Sequence, residues 1–311
     1  MSFTSDVKKE ISNVEWKDCC KKALLSAFLQ NSATLNFTSE GMDIRAQSEN
    51  VSTAKYIYKL VKELYQVEIQ LSIIKKMKLK KNNIYVIRIN NKAMEILKDL
   101  EIIGEHGLND YPSKKIVHKD CCVRAYLAGA FLASGSVNSP IKSNYHLEIV
   151  CSNMARAKYI MRQMNKFHLQ AKHIKRRNQE VVYIKASDKI SDFLKCVGAS
   201  VSLFEFEDTR IQRDFMNSLT RLDNCELANE MKSIKAAQKQ LEDIDRIENF
   251  VGLDSLSSNL YKVALLRKEH PEANLNELCA SYEQQYQEVI SKSGIRHRLN
   301  KIRDIANQYK Q

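Results

Sequence analysis

The last residues of the 311-residue chain, 291 to 311, carry side chains suited to binding a polyanion. Six of them are lysine or arginine, and Asp304 is the single acid. Guanidinium and ammonium groups pair with phosphates, and arginine and asparagine can form paired hydrogen bonds with base edges, so this segment is a candidate for nucleic-acid contact. The candidate side chains are Ser293, Arg296, His297, Arg298, Asn300, Lys301 and Arg303.

An apolar stripe predicts how this segment folds. At 100° per residue, its apolar side chains fall within about 60° of one another on a helical wheel. One face of a helix would therefore be buried, and the candidate side chains would point outward or flank the buried face. The apolar residues are Ile295, Leu299, Ile302 and Ala306.

A shorter helix is predicted just before it. Asn274 can cap this helix, and Glu277, three residues later, can complete a capping box. The two helices together predict a helix-turn-helix over about 274–308. In such a motif the second helix enters the major groove, which makes Arg296 and Asn300 the best candidates for reading bases.

Basic residues are also concentrated in other parts of the chain. The chain has a formal net charge of +12, and residues 111–222 hold 19 basic and 9 acidic residues. Arg156–Arg177 contains eight basic residues and no acid. Lys75–Lys81 is a further basic run, and its strand-like neighbours predict a β-hairpin arm. Several basic surfaces favour a polymer of phosphates as partner. The candidate contacts in the larger run are Lys175, Arg176 and Arg177.

Composition excludes several other classes of protein. Eight glycines and three prolines are too few for collagen or a turn-rich fold, so we expect helices to dominate. No run of about 18 apolar residues is present, and the charged N-terminal segment lacks the apolar stretch of a signal peptide. No basic segment has the apolar face of an interfacial helix, and Trp16 is the only tryptophan. We therefore expect a cytoplasmic protein without a membrane partner or a small-molecule substrate.

Eight cysteines are too sparse for a disulfide scaffold. The adjacent pairs Cys19-Cys20 and Cys121-Cys122 lack the CxxC spacing of a metal loop, and no histidine pair with zinc-ligand spacing lies nearby. We therefore predict free thiols, with no metal and no cofactor.

A repeat occupies the first 220 residues. DCCKKALLSAFLQNSATL at 18–35 aligns without a gap to DCCVRAYLAGAFLASGSV at 120–137. Hydrophobic periodicity predicts the same order in both copies, α-β-β-α-β-β-α. Asp18 and Asp120 are the expected N-caps of the two opening helices. Small residues along these helices would let them pack closely about a pseudo-two-fold axis.

The sequence LAGAFLASG at 127–135 resembles the LAGLIDADG motif of homing endonucleases, and the helix from Cys20 to Leu35 resembles a degenerate partner motif. This resemblance implies two motif helices at a domain interface, sheets that sit astride DNA, and a final acid in each motif that binds the catalytic metal ions. The matching positions hold Ser32 and Ser134. A hydroxyl replaces a carboxylate poorly as a ligand for such cations, which predicts loss of cleavage.

Nearly the whole chain resembles the WhiA family, a family of sporulation and cell-division regulators of Gram-positive bacteria. The resemblance rests on RAYLAGAFLASGSV at 124–137, GLDSLSSNLYKVALLRKEHPEANLNEL at 252–278 and SKSGIRHRL at 291–299. It implies a sequence-specific DNA-binding transcriptional regulator that is not an enzyme. Double-stranded DNA would be its partner, together with a possible transcription or cell-division protein, and it would be associated with the nucleoid.

The expected fold class is α+β: a duplicated αββαββα region followed by an all-α domain. The expected domains are 1–110, 111–222 and 223–311, with a change of character near Asp223. Two other functions stay open. One is a non-catalytic scaffold for a division or transcription protein, and the other is an active endonuclease or maturase, which would need an acid at position 32 or 134.

Overall fold

The computed structural model describes residues 2–38, 41–75, 83–142 and 144–309. The chain divides into two compact units, Met1–Arg213 and Asp214–Gln311. The predicted boundaries at residues 110 and 222 remain predictions. Around residue 223 the chain is one continuous helix instead of a break between elements.

The first unit opens with helix α1 (Phe3–Ile11) and then contains the first copy of the repeat. Cys20 and the apolar side chains on the inner faces of this copy are buried in one core with those of the second copy. Its elements are α2 (Asp18–Ser32), β1 (Ala33–Thr38), β2 (Gly41–Ser48), α3 (Val51–Tyr65), β3 (Ile69–Lys75), β4 (Asn83–Ile89) and α4 (Ala93–Asp99).

A short hairpin, β5 (Ile103–Gly104) and β6 (Gly107–Leu108), leads to the second copy. This copy has the same order of helices and strands as the first, as the sequence repeat predicted. Its elements are α5 (Asp120–Ser134), β7 (Gly135–Val137), β8 (Leu147–Cys151), α6 (Met154–Lys166), β9 (Lys172–Arg176), β10 (Gln179–Ile184) and α7 (Ser187–Cys196).

Both copies form an antiparallel four-stranded sheet with the same topology. The strand orders are β1-β2-β4-β3 and β7-β8-β10-β9, so the strand that follows the opening helix lies at one edge of each sheet. Burial alternates along β8 and along β2 from Ile44 onward, so the inner face of each sheet packs on the core. The basic run at 75–81 was predicted to form a hairpin arm. β3 and β4 do pair antiparallel on either side of it, but residues 76–82 lie outside the described part of the chain.

The opening helices α2 and α5 pack against each other. At Gly129 of α5, an added Cβ would lie 2.1 Å from the carbonyl oxygen of Leu24 in α2, so only glycine permits this approach. This confirms the close packing that the small residues predicted. The predicted aspartate caps are wrong. Lys17 and Lys119 occupy the N-cap positions, and Asp18 and Asp120 begin the first turns. There the negative charge of each aspartate still interacts favourably with the positive N-terminal end of its helix.

The second unit is helical, apart from a 3₁₀ turn at Leu253–Ser255. Its buried residues form a separate core that includes Tyr282 and the inner side chains of the last helix. Among the described residues, we find no helix that is both long enough and apolar enough to cross a bilayer. The helices are α8 (Ser200–Val251), which begins in the first unit, α9 (Ser258–Glu269), α10 (Leu275–Tyr286) and α11 (Lys292–Asn307).

Candidate nucleic-acid interface

Helices α10 and α11 form the helix-turn-helix that the sequence predicted. Asn274 caps α10 through the backbone N–H groups of Asn276 and Glu277, and the Glu277 carboxylate accepts from the Asn274 N–H in return. The Ser291 hydroxyl accepts from the Gly294 N–H and so starts α11. The predicted stripe of α11 is buried in full: Ile295, Leu299, Ile302 and Ala306.

Burial of this stripe leaves most of the candidate contacts in solvent, as predicted. Because Arg296 and His297 lie in the first two turns of α11, they stand close to its positive N-terminal end, which favours an anionic ligand. The exposed candidates are Ser293, Arg296, His297, Asn300, Lys301 and Arg303.

Arg298 differs from the other candidates. Its side chain is half-buried, its Nη1 donates to the Tyr282 hydroxyl at 2.9 Å, and its guanidinium lies 5.3 Å from the centre of the Tyr282 ring. The Tyr282 hydroxyl donates in turn to Glu288 at 3.1 Å. This chain of contacts fixes α11 against α10. The sequence could not show this role, because a wheel gives a direction but not the neighbour that lies there.

A groove borders one flank of the exposed face of α11. It has a volume of about 400 Å³ and is lined by Asn300 and Arg303 together with residues of α8 that include Lys239, Gln240 and Glu242. Asn300 and Arg303 therefore face the α8 side of α11. Acidic and basic side chains both line this flank, so its surface charge is mixed.

The β9–β10 hairpin presents the second group of predicted residues. Lys175, Arg176 and Arg177 are exposed, and the two-residue turn places Arg177 and Asn178 at φ values of 50° and 59°, as a right-handed twist requires. Arg176 Nη2 lies 3.8 Å from the Glu148 carboxylate.

The long basic run that contains this hairpin does not lie wholly on the surface. Arg156, at its start, is buried, and its Nη1 donates to the Gln30 carbonyl and to the Ser152 hydroxyl. Burial lowers the pKa of Arg156. This residue therefore ties the two repeats together and is withdrawn from solvent.

Polar residues on the outer faces of the sheets were missed by sequence reasoning. In the first sheet, Arg45 pairs directly with Arg88 across β2 and β4, and Arg88 Nε donates to Asp43 at 2.5 Å. In the second sheet, Lys172 pairs with Tyr183 across β9 and β10. Strand alternation could have revealed these faces, had the register been known.

The motif serines at the ends of α2 and α5 donate hydrogen bonds to backbone carbonyls. Ser32 Oγ donates to the Phe28 carbonyl at 2.7 Å, and Ser134 Oγ donates to the Val150 carbonyl at 2.6 Å. Neither hydroxyl carries a charge that could hold a divalent cation.

Glu148 and Asp120 pair with other side chains. Glu148 contacts His146 Nε2 at 3.0 Å as well as Arg176. Asp120 pairs with Lys166 at 2.6 Å, at the other end of α5 from Ser134.

A polar cavity of about 600 Å³ lies beside Ser134. Lys8 lines it, as does Glu49, the one acid among its described lining residues. Burial lowers the pKa of Lys8 to about 8, although the charge of Glu49 opposes this shift. A lysine in this position would repel divalent cations at neutral pH.

Four cysteines meet in a way the sequence did not predict. The sulfurs of Cys19, Cys20, Cys121 and Cys122 all lie within 4.8 Å of one another. The sequence argument treated each pair alone and so did not anticipate this cluster; the expectation of no bound metal stays a prediction. The packing of α2 on α5 brings the two pairs together.

Comparisons with sequence families match nearly the whole chain. The WhiA N-terminal LAGLIDADG-like domain matches residues 18–103, the WhiA LAGLIDADG-like domain matches 123–216, and the WhiA C-terminal HTH domain matches 219–306.

Similar proteins agree with these matches. A protein of Bacillus pumilus (strain SAFR-032) named "Probable cell division protein WhiA" is 45% identical over 309 residues, which cover 99% of this chain and 97% of that protein. The crystal structure of full-length DUF199/WhiA from Thermatoga maritima superimposes with a TM-score of 0.59 at 23% identity and covers 100% of both chains. The N-terminal LAGLIDADG domain of DUF199/WhiA gives a TM-score of 0.50 at 21% identity, over 63% of this chain and 90% of that one.

Proposed function

The chain belongs to the WhiA family, and on that premise we propose that it is a sequence-specific DNA-binding transcriptional regulator that binds the double helix without cleaving it. Its processes would be cell division, chromosome segregation and sporulation, and its place would be the cytoplasm, at the nucleoid. The name of the relatives, "Probable cell division protein WhiA", supports the first of these processes.

The observation that carries this proposal is the exposed face of α11. A recognition helix needs a buried stripe that fixes its orientation and an opposite face with cations and hydrogen-bonding groups. In α11 the stripe is buried, while Arg296 and Asn300 are exposed. Arginine can bind guanine through two hydrogen bonds and asparagine can bind adenine in the same way, so these two residues would specify bases.

The first unit would add contacts to the DNA backbone. Lys175, Arg176 and Arg177 are exposed at one hairpin, where three consecutive cations suit a run of phosphates. Phosphate contacts of this kind set affinity and salt dependence more than sequence preference. A possible transcription or cell-division protein would bind in addition to DNA.

Absence of cleavage follows from the chemistry of the serines. Two-metal hydrolysis of a phosphodiester needs carboxylates to hold the cations against the scissile phosphate. Ser32 and Ser134 offer hydroxyls that already donate to backbone carbonyls, and Lys8 adds positive charge beside Ser134. These contacts support a non-enzymatic role.

Binding measurements with the full-length chain test the proposal. A preferred site is selected from random duplexes, and its affinity is compared with that of a scrambled duplex across a salt series. We expect the site to bind about 10³-fold or more tightly than the scrambled sequence. A scaffold with incidental DNA contact would bind both equally, and that result would refute the proposal.

Lys175→Ala provides an independent measurement on the first unit. Because one phosphate contact changes the slope of log K against log salt by about 0.9, this variant should flatten the slope by about that amount and leave the site preference intact. Lys232→Ala, which removes an exposed lysine of α8, is the matched charge control. Equal slopes for Lys175→Ala and wild type would exclude this hairpin from the DNA interface.

A further inference from the structure

The sulfurs of the four clustered cysteines lie at the N-terminal ends of α2 and α5. Cys19 and Cys20 occupy the first turn of α2, and Cys121 and Cys122 occupy the equivalent turn of α5. One cysteine of each pair, Cys20 and Cys122, is buried, while its neighbour is half-buried. The cluster is thus closed on its inner side and can be reached from solvent on the other.

The repeat explains how two pairs become one set. Each pair alone has neighbouring cysteines that project from adjacent positions of one helix, too few to enclose an ion. The close approach of α2 and α5, which the missing side chain of Gly129 allows, places the second pair against the first. The repeat thus supplies two ligands from each copy.

The distances fit one tetrahedral ion. Zinc binds cysteine sulfur at about 2.3 Å, which separates the sulfurs of a tetrahedral site by about 3.8 Å. Cys19 Sγ and Cys20 Sγ lie 3.8 Å apart, and no pair in the set exceeds 4.8 Å. An iron–sulfur cluster would hold its cysteines further apart, because several atoms separate them, so these distances favour a single ion.

The pattern of contacts also differs from that of disulfides. Each of the four sulfurs lies within 4.8 Å of the other three, so none is set apart with a single partner. A disulfide joins two sulfurs at about 2.05 Å and would leave the other two without a partner of this kind. Four sulfurs that share one small volume are the donor set of a structural zinc site.

We propose that the chain binds one Zn²⁺ through the thiolates of Cys19, Cys20, Cys121 and Cys122. The thiol protons pass to solvent on binding, and no oxidation or reduction takes place. The N-terminal ends of α2 and α5 favour the negative charge of the zinc–thiolate centre. The ion would link α2 of the first repeat to α5 of the second.

This site is distinct from the metal-binding position of homing endonucleases. That position matches Ser32 and Ser134, at the opposite ends of the same helices, and thirteen residues of helix separate it from the cysteines by about 20 Å. The proposed ion is remote from any DNA-cleaving chemistry, so its role would be structural.

Metal analysis of the full-length chain, purified without chelator or added metal, tests the proposal. We expect about one zinc per chain for wild type and less than about 0.2 for Cys19→Ser and Cys121→Ser. Cys279→Ser is the matched control, since Cys279 is also half-buried but lies in the second unit, and it should keep the full zinc content.

A second measurement keeps the test decisive if the serine variants fold poorly. Wild-type protein stripped of metal is titrated with Co²⁺, which should give the intense visible absorption of tetrahedral cobalt–thiolate coordination and reach its end point at one ion per chain. Zinc should then displace the cobalt. Absence of both zinc and the cobalt spectrum, or disulfides among these cysteines in mass spectra of the native protein, would overturn the proposal.

Discussion

Arg296 is the residue at which the proposed recognition helix can be tested most sharply. Its side chain is exposed and, within the described residues, it makes no hydrogen bond or ion pair with the protein. Arg296→Ala should therefore leave the free energy of unfolding unchanged to within about 0.5 kcal/mol. A lost bidentate contact with a base costs about 1–3 kcal/mol of binding free energy, or about 5- to 150-fold in affinity.

Fluorescence anisotropy with the selected site and its scrambled version measures this loss. Arg296→Ala should weaken binding to the selected site by the stated factor and weaken binding to the scrambled duplex much less. Arg296→Lys keeps the charge but loses the planar fork, so it should lower the site preference while the salt slope stays near that of wild type. Unchanged affinity of a folded Arg296→Ala variant for the selected site would show that the assigned contact is wrong.

Three further predictions concern packing and charge. Arg298→Ala should lower the free energy of unfolding of the helical unit by about 1–2 kcal/mol in urea titrations, because it removes a hydrogen bond and a cation–π contact with Tyr282. An unchanged urea midpoint would contradict this. Gly129→Ala should destabilise the first unit by about 1–3 kcal/mol in thermal unfolding, since the new Cβ would lie 2.1 Å from the Leu24 carbonyl oxygen. A variant as stable as wild type would show that α2 and α5 can separate without cost. Because burial lowers the pKa of Lys8 from 10.5 to about 8, the unfolded chain binds more protons between these values, and this residue should make stability rise from pH 8 to pH 10.5. Lys8→Met should flatten that rise in urea titrations, and an unaltered pH dependence would argue against the shift.

Local patterns in the sequence predicted much of the fold and of α11. The repeat predicted two copies of αββαββα because each copy carries its own alternation of apolar residues, and both copies form sheets with the same strand order. The capping box of Asn274 and the stripe around Ile295 are local as well, and both are confirmed. Such features depend on residues a few positions apart, which a sequence displays directly.

Features that depend on distant residues could not be predicted in this way. Cys20 and Cys121 meet because two helices a hundred residues apart pack together, whereas the spacing within each pair argues against a metal site. The sequence indicates only that Arg298 flanks the exposed face of α11, because its contact with Tyr282 depends on how α10 and α11 pack. Arg156 counted toward a basic surface, although it is buried against the first repeat.

A single denaturing-gel footprint tests the central claim, that this protein recognises DNA and does not cut it. End-labelled duplex carrying the selected site is incubated with the full-length chain and Mg²⁺, and half of each sample then receives a brief DNase treatment. We expect protection of the site after DNase and intact strands without it, at every protein concentration. Strand breaks in the untreated half that persist through an independent purification, or the lack of any protected region at saturating protein, would contradict the account.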